Sequence, residues 1–300
     1  MSKNLLFAHL ALFAVSVIYG LNYVIAKDVM PNYIAPSGFI LLRVGGAVLL
    51  FWLLSLFRKQ EQIRRKDLPR LIACGLFGVA INQLLFFNGL NATTPINAAI
   101  MMTTNPILVL IAAAIILKER VTILKVTGIT LGLLGALGLI AFGKSFGFGA
   151  DTLKGDVLVF INAMSYGIYL VLVKPLMTKY SPLTVIKWAF SFGLLFVLPF
   201  GAEQFNEIQW AEFPEFIRWE TAYVVICTTF LAYLLNIFAL KRVQPSVVSI
   251  YIYSQPLLAA IVSISLGKDQ IDALKLISAA FIFSGVYIVS RPKKKALKRT

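Results

Sequence analysis

Apolar runs of roughly 20 residues recur along the whole chain, parted by short stretches that hold nearly all of the charge. At 1.5 Å of rise per residue, each run as a helix is long enough to cross a hydrocarbon core of about 30 Å. The pattern predicts an all-α integral membrane protein with ten transmembrane helices at Leu5–Ala26, Gly38–Phe57, Leu71–Leu90, Ile96–Leu117, Val121–Phe142, Gly155–Met177, Leu183–Gly201, Thr221–Leu240, Ser246–Leu266 and Ile271–Ser290. The first run is longer than the apolar core of a secretory signal, and no small-x-small cleavage site followed by a soluble domain comes after it. It is read as a span.

Composition agrees with this pattern. With 59% hydrophobic and 14% charged residues, a water-soluble domain would be left with far too much apolar surface. The net charge of +15 would suit a nucleic-acid partner if it lay on one folded face, but the basic residues fall in short connections between spans, and no nucleic-acid partner is expected. With the N-terminus in the cytoplasm, the inside segments hold 21 of the 28 Lys and Arg and the outside connections six, leaving Arg43 within a span. That asymmetry predicts a multi-pass protein of a bacterial inner membrane with both termini cytoplasmic. The outer connection Ala202–Arg218 mixes four Glu with Phe205, Trp210, Phe213 and Phe216, which fits a short interfacial helix or a solvated loop. Cys74 and Cys227 fall inside spans as packed free thiols.

The chain repeats itself. A shift of 150 residues lays Pro95 on Pro245, Ile100 on Ile250, Pro106 on Pro256, Lys118 on Lys268, Lys125 on Lys275 and Gly135 on Gly285 without a gap, and a shift of 147 lays Tyr19-Gly20 on Tyr166-Gly167 and Lys27 on Lys174. Two repeats follow, 1–146 and 147–300, each with five spans. Five is odd, so the second copy enters the membrane from the opposite side. Two inverted five-helix repeats form the architecture of secondary transporters, although duplicated bundles also occur in channels and membrane enzymes.

A solute path needs polar groups at membrane depth. Pro106 and Pro256 fall near the middle of helices 4 and 9 as candidate hinges, each expected to free the carbonyl four residues earlier, at Met102 and Ile252. Polar runs precede both, Thr103-Thr104-Asn105 and Tyr253-Ser254-Gln255, with Tyr251 a turn before Gln255. Around them stand Tyr19, Asn22 and Tyr23 on helix 1, echoed by Tyr166 and Tyr169 on helix 6, and Asn82, Gln83 and Phe86 on helix 3, echoed by Tyr233 and Asn236 on helix 8. These are the candidate substrate-binding residues. The alternative for the hydroxyls is to bond carbonyls of their own helices, and for the aromatics to pack. Arg43, the guanidinium deep in a span, either pairs with a substrate carboxylate or snorkels outward to loop carbonyls. His9 reads as a hydrogen-bonded packing residue, no carboxylate is expected in a span interior, and Gly128, Gly132 and Gly135 on helix 5 read as a close-packing face within the bundle.

Gly89-Leu90-Asn91-Ala92-Thr93-Thr94-Pro95, then Asn105-Pro106, then Leu117-Lys118-Glu119-Arg120-Val121-Thr122 with Gly128 and Gly135, resemble the helix 3 to helix 5 signature of EamA-type members of the drug/metabolite transporter superfamily. Tyr19-Gly20 with Lys27, and Pro36 with Arg43, resemble its helices 1 and 2, although that family often carries Trp where this chain has Tyr19. The resemblance implies a ten-helix fold with cytoplasmic termini and, for bacterial members, very often export of amino acids or related metabolites. The expected function is a secondary exporter of an amino acid or related neutral or zwitterionic compound, working by alternating access as a monomer in the lipid bilayer, with a homodimer as the alternative state. Import or exchange of anionic sugars or nucleotide-sugars would call for several Lys or Arg in the cavity, and only Arg43 is available. One His, two scattered Cys and no paired carboxylates make a poor enzyme site, so no catalytic residue, metal or cofactor is expected. A receptor or scaffold would need neither symmetric prolines nor a central polar cluster.

Overall fold

The computed structural model describes residues 3–141, 150–265 and 273–290, and helices dominate all three stretches. Ten helices stand among the described residues. Three of them are single α-helical rods of the first half: α1 (Lys3–Val29), α2 (Pro36–Leu56) and α5 (Ile123–Ala141). α6 (Ala150–Val173), α7 (Pro182–Asn206) and α10 (Ala273–Ser290) are the corresponding rods of the second. The other four are interrupted. α3 runs through Leu68–Gly75, a π-helical stretch Leu76–Ala80, and Ile81–Asn91, while α8 runs through Glu215–Tyr223, a π-helical stretch Val224–Leu231, and Ala232–Leu240. α4 breaks between Pro95–Met102 and Asn105–Ile116, and α9 passes from Pro245–Ile250 through a 3₁₀ turn, Tyr251–Tyr253, to Ser254–Ser265.

The interruptions come in matched pairs, and so does the packing. α2 packs on α7 and α5 on α10, while α3 packs on α6 and α7 just as α8 packs on α1 and α2, and α4 lies on α6 as α9 lies on α1. Exchanging each helix for the one five places along maps this set of neighbours onto itself, as two five-helix repeats require. One polar device is duplicated as well. Lys27 Nζ donates to the carbonyl of Asn91 at the end of α3 (3.4 Å), and Lys174 Nζ donates to those of Leu240 and Val243 at and beyond the end of α8 (2.5 Å each). Carbonyls that a helix end leaves without an amide partner thereby receive a cation.

The α5–α10 seam explains the helix 5 glycines. A Cβ on Gly285 would lie 2.5 Å from the Gly128 carbonyl oxygen, and one on Gly128 would lie 2.9 Å from that of Gly285. Only hydrogen fits at either position, so these glycines serve packing inside the bundle. The outside of the bundle is apolar: Leu49, Leu56, Ile115, Ile123, Leu195, Phe200, Trp219 and Leu276 are all exposed. Among the described residues, seven helices are long and apolar enough to cross a membrane, with shorter apolar helices at Ile123–Gly138 and Leu276–Ser290. An outward belt of this kind is a lipid face.

Several expectations shift. α7 continues past Gly201 to Asn206 and α8 begins at Glu215, so no room remains for an interfacial helix. A 3₁₀ turn, Trp210–Glu212, closes the gap with Ile208 and Phe213 buried and Trp210 packed against Phe205 and Phe213. Both prolines stand in the first turn of a new helical segment rather than inside a kinked one. The freed groups of the first break are partly met locally, since Thr103 and Thr104 hydroxyls donate to the carbonyls of Ile100 (2.6 Å) and Met101 (2.7 Å). Asp156 is a carboxylate within α6: it is buried and accepts from Thr93 (2.6 Å), Asn97 (3.3 Å) and Thr152 (3.2 Å). Lys144, Lys268 and the basic tail Arg291–Thr300 lie outside the described residues.

Candidate functional site: a central polar cavity

A cavity lies among α1, α2, α3, α4, α6, α8 and α9, so both five-helix halves build its wall. Its volume, for the centre of a water-sized sphere, is about 90 Å³, several times the ~10–15 Å³ that one water needs on that measure. Of the candidate residues, Tyr19, Asn22, Arg43, Asn82, Gln83, Phe86, Tyr166, Tyr233, Asn236, Tyr251 and Gln255 line it. The spacing of 19 and 22, of 82, 83 and 86, and of 233 and 236 keeps each set on one side of its helix, because residues three and four apart share a face.

Three candidates stand elsewhere. Asn105 is fully buried away from the cavity and donates from Nδ2 to the Ala163 carbonyl of α6 (2.6 Å), tying α4 to α6. Thr104 uses its hydroxyl on Met101. Tyr169 is 1% exposed, with its ring between those of Tyr166 and Tyr233 and over Gly78, where any Cβ would collide with it. Tyr23 lies on α1, and its side chain falls outside the described residues. For Asn105 and Tyr169 the cause is angular, since each points from its helix toward a neighbouring helix, while Thr104 turns its hydroxyl back onto its own helix.

Arg43 turns inward. It is 3% exposed and bridges α2 to α8: Nε donates to Thr229 Oγ1 (3.0 Å), Nη2 donates to Thr228 Oγ1 (3.3 Å), and its guanidinium carbon stands 4.0 Å from the centre of the Phe87 ring. The outward snorkel to loop carbonyls is not made. The π-helical stretch of α8 makes the inward position possible. Both threonine hydroxyls donate to the Val224 carbonyl, at 2.6 and 2.9 Å, so each presents only lone pairs to the guanidinium. The π stretch of α3 performs a parallel task. Its displaced carbonyls are taken by other helices, Phe77 O by Ser165 (2.6 Å) and Gly78 O by Tyr233 (3.0 Å), and the Tyr233 hydroxyl also reaches Asn82 Oδ1 (2.8 Å). A π turn widens the helix and leaves carbonyls off-register, and here both such turns feed the cavity wall.

Other lining residues escaped the sequence reading. Asn162 on α6 donates to the Asn82 carbonyl (2.6 Å), and Ser16 on α1 donates to the Leu12 and Tyr251 carbonyls (3.1 and 3.0 Å). Asn162 stands four residues before Tyr166, so the helical period could have found it. Phe87, Met102, Val248 and Ile252 are apolar lining residues with no distinguishing signal. His9 accepts from or donates to the Tyr251 hydroxyl (2.8 Å) at one rim.

This wall can hydrogen-bond a small solute on several sides and offers it one positive charge and several aromatic faces, which is the equipment of a binding cavity. Comparison with known proteins agrees with the architecture. An uncharacterized transporter of Bacillus subtilis (strain 168), YyaM, is 26% identical over 291 residues, covering 94% of this chain and 93% of that protein. A probable terminal-alkyne amino-acid exporter of Streptantibioticus cattleyicolor is 25% identical over 228 residues, covering 76% of this chain and 75% of its own length. A solved crystal structure superposes with a TM-score of 0.74 over 94% of this chain and 96% of its own, at 17% identity, which shows a common fold. The sequence pattern of the EamA-like transporter family matches residues 6–141 and again 153–291, and the chain therefore belongs to the EamA-like transporter family.

Proposed function

We propose that this transporter exports an amino acid or a related zwitterionic compound by alternating access around the central cavity, in a bacterial inner membrane with both termini in the cytoplasm. The observation that carries the reading is the cavity wall itself, which is drawn from both halves and set with amides, phenols and a single guanidinium. Such a wall suits a compact solute of low net charge. It is short of the cation cluster that a sugar phosphate or nucleotide-sugar would need. The repeats 1–146 and 147–300 are the moving units, with the helix breaks at Pro106 and Pro256 as hinges of symmetric depth. The name of the Streptantibioticus relative is support of the same kind, one step removed. Counterflow in proteoliposomes tests the reading. Saturable exchange of amino acids, with no exchange of phosphorylated sugars, is the expected result. Exchange confined to phosphorylated sugars would overturn it, and no exchange of any solute class would point to a receptor or scaffold.

A further inference from the structure

Arg43 is the one cationic side chain among the described residues that line the cavity, and no Asp or Glu lines it. Its partners are neutral: two threonine oxygens and the faces of Phe87 and Phe39. They orient the guanidinium without balancing its charge, and a buried charge without a counter-charge is costly at membrane depth. One nitrogen, Nη1, has no hydrogen-bond partner. Nε spends its one hydrogen on Thr229 and Nη2 one of its two on Thr228, so hydrogens on both Nη1 and Nη2 remain for a carboxylate. One negative charge balances the one positive charge that the lining holds, and a phosphate dianion would exceed it.

We infer that Arg43 anchors the carboxylate of the transported solute, and that this group, rather than the solute's amine, decides what is carried. The inference rests on the export reading above and narrows it. For an ammonium the wall holds no anion, only neutral oxygens such as Asn22 Oδ1, itself without a partner. A carboxylate supplies the charge that the site lacks, whereas an ammonium adds a second positive charge to a cavity that already holds one. The site therefore takes monocarboxylates of cavity size, with or without an α-amine, and rejects amines and carboxyl-blocked derivatives.

The test is competition against counterflow of labelled phenylalanine in proteoliposomes, using phenylalanine, 3-phenylpropionate, phenylalaninamide, phenylalanine methyl ester and phenethylamine. Phenylalanine and 3-phenylpropionate should compete, and the other three should be weaker by about 10- to 100-fold, the value of a hydrogen bond to a charged group. Arg43→Gln should raise KM by a similar factor and erase the preference for the free acid, while Arg43→Lys should restore part of it. If Arg43→Gln does not fold, the competition series on the unaltered protein decides alone. Equal competition by the amide, ester and acid would overturn the anchor and leave amino-acid export standing. Should labelled phenylalanine and leucine not move while labelled 3-phenylpropionate does, export of amino acids falls and the anchor stands; if no carboxylated probe moves, both fall.

Discussion

Gln255 and Asn105 stand in equivalent places, each just before a proline and 150 residues apart, yet they have different surroundings. Gln255 lines the cavity, whereas Asn105 is fully buried and bonded to the Ala163 carbonyl. Gln255→Ala should impair counterflow with little change in melting temperature. Asn105→Ala should impair transport through packing, at a loss of roughly 1 kcal/mol for one interhelical hydrogen bond, and the pair of melting curves in detergent separates the two. A third residue-scale effect lies in the connection before α3. Asp67 accepts from Lys179 Nζ (2.6 Å) and the Tyr180 hydroxyl (2.8 Å), and the Lys179 ammonium holds its carboxyl below the usual carboxylate range. A lowered pKa in the folded state means that this clamp contributes fully above the ordinary Asp value of about 3.9 and is lost as pH falls through the lower folded value. Hydrogen exchange of residues 58–67 should thus be flat from pH 7 to about 5 after correction for intrinsic rates, with protection falling only below about pH 4. Loss of protection beginning near neutral pH would contradict the clamp.

At the scale of the element, the matched interruptions matter more than the straight rods. A π-helical stretch inserts one residue's worth of backbone into an α-helix, and everything beyond it is turned by about 100°. In α3 the residues beyond Leu76–Ala80 are Asn82, Gln83 and Phe86, which line the cavity. Deleting Val79 should return α3 to a regular helix that keeps these three on the wall, because the stretch takes up one residue, but withdraws the off-register carbonyls that Ser165 and Tyr233 use. The expected outcome is inserted, folded protein without counterflow, read from membrane fractionation alongside the transport assay. Retained transport would mean that the π stretch has no part in shaping the cavity. The breaks in α4 and α9 act differently, because each proline begins a new segment where its missing N–H costs nothing.

For the whole molecule, the neighbour pattern that is unchanged when each helix is exchanged for the one five places along places the cavity where the two halves meet. Two similar halves that can exchange conformations open such a site to either side in turn. The same inversion puts Lys27 and Lys174, with the helix ends they hold, on opposite faces of the bundle. The charge distribution of the loops then predicts the orientation: reporters that are active only in the cytoplasm, fused at either terminus, should both be active, and a reporter at the 202–214 connection should be silent. The opposite result would place both termini outside the cytoplasm.

Hydrophobic run length determined the number of helices, and the odd count per repeat determined the inversion, because both depend only on local composition and chain order. Helical spacing also made most of the cavity wall legible, since polar residues three and four apart on an apolar helix share a face. Tertiary structure alone decided which way Arg43 turned, because the choice rested on lone pairs of Thr228 and Thr229 presented by a helix 185 residues away. It likewise set Asn105 and Tyr169 apart from the cavity and created the π stretches. A π turn differs from an α turn by one hydrogen-bond register, a small local difference that packing across the bundle, not the amino acids within the turn, makes worthwhile.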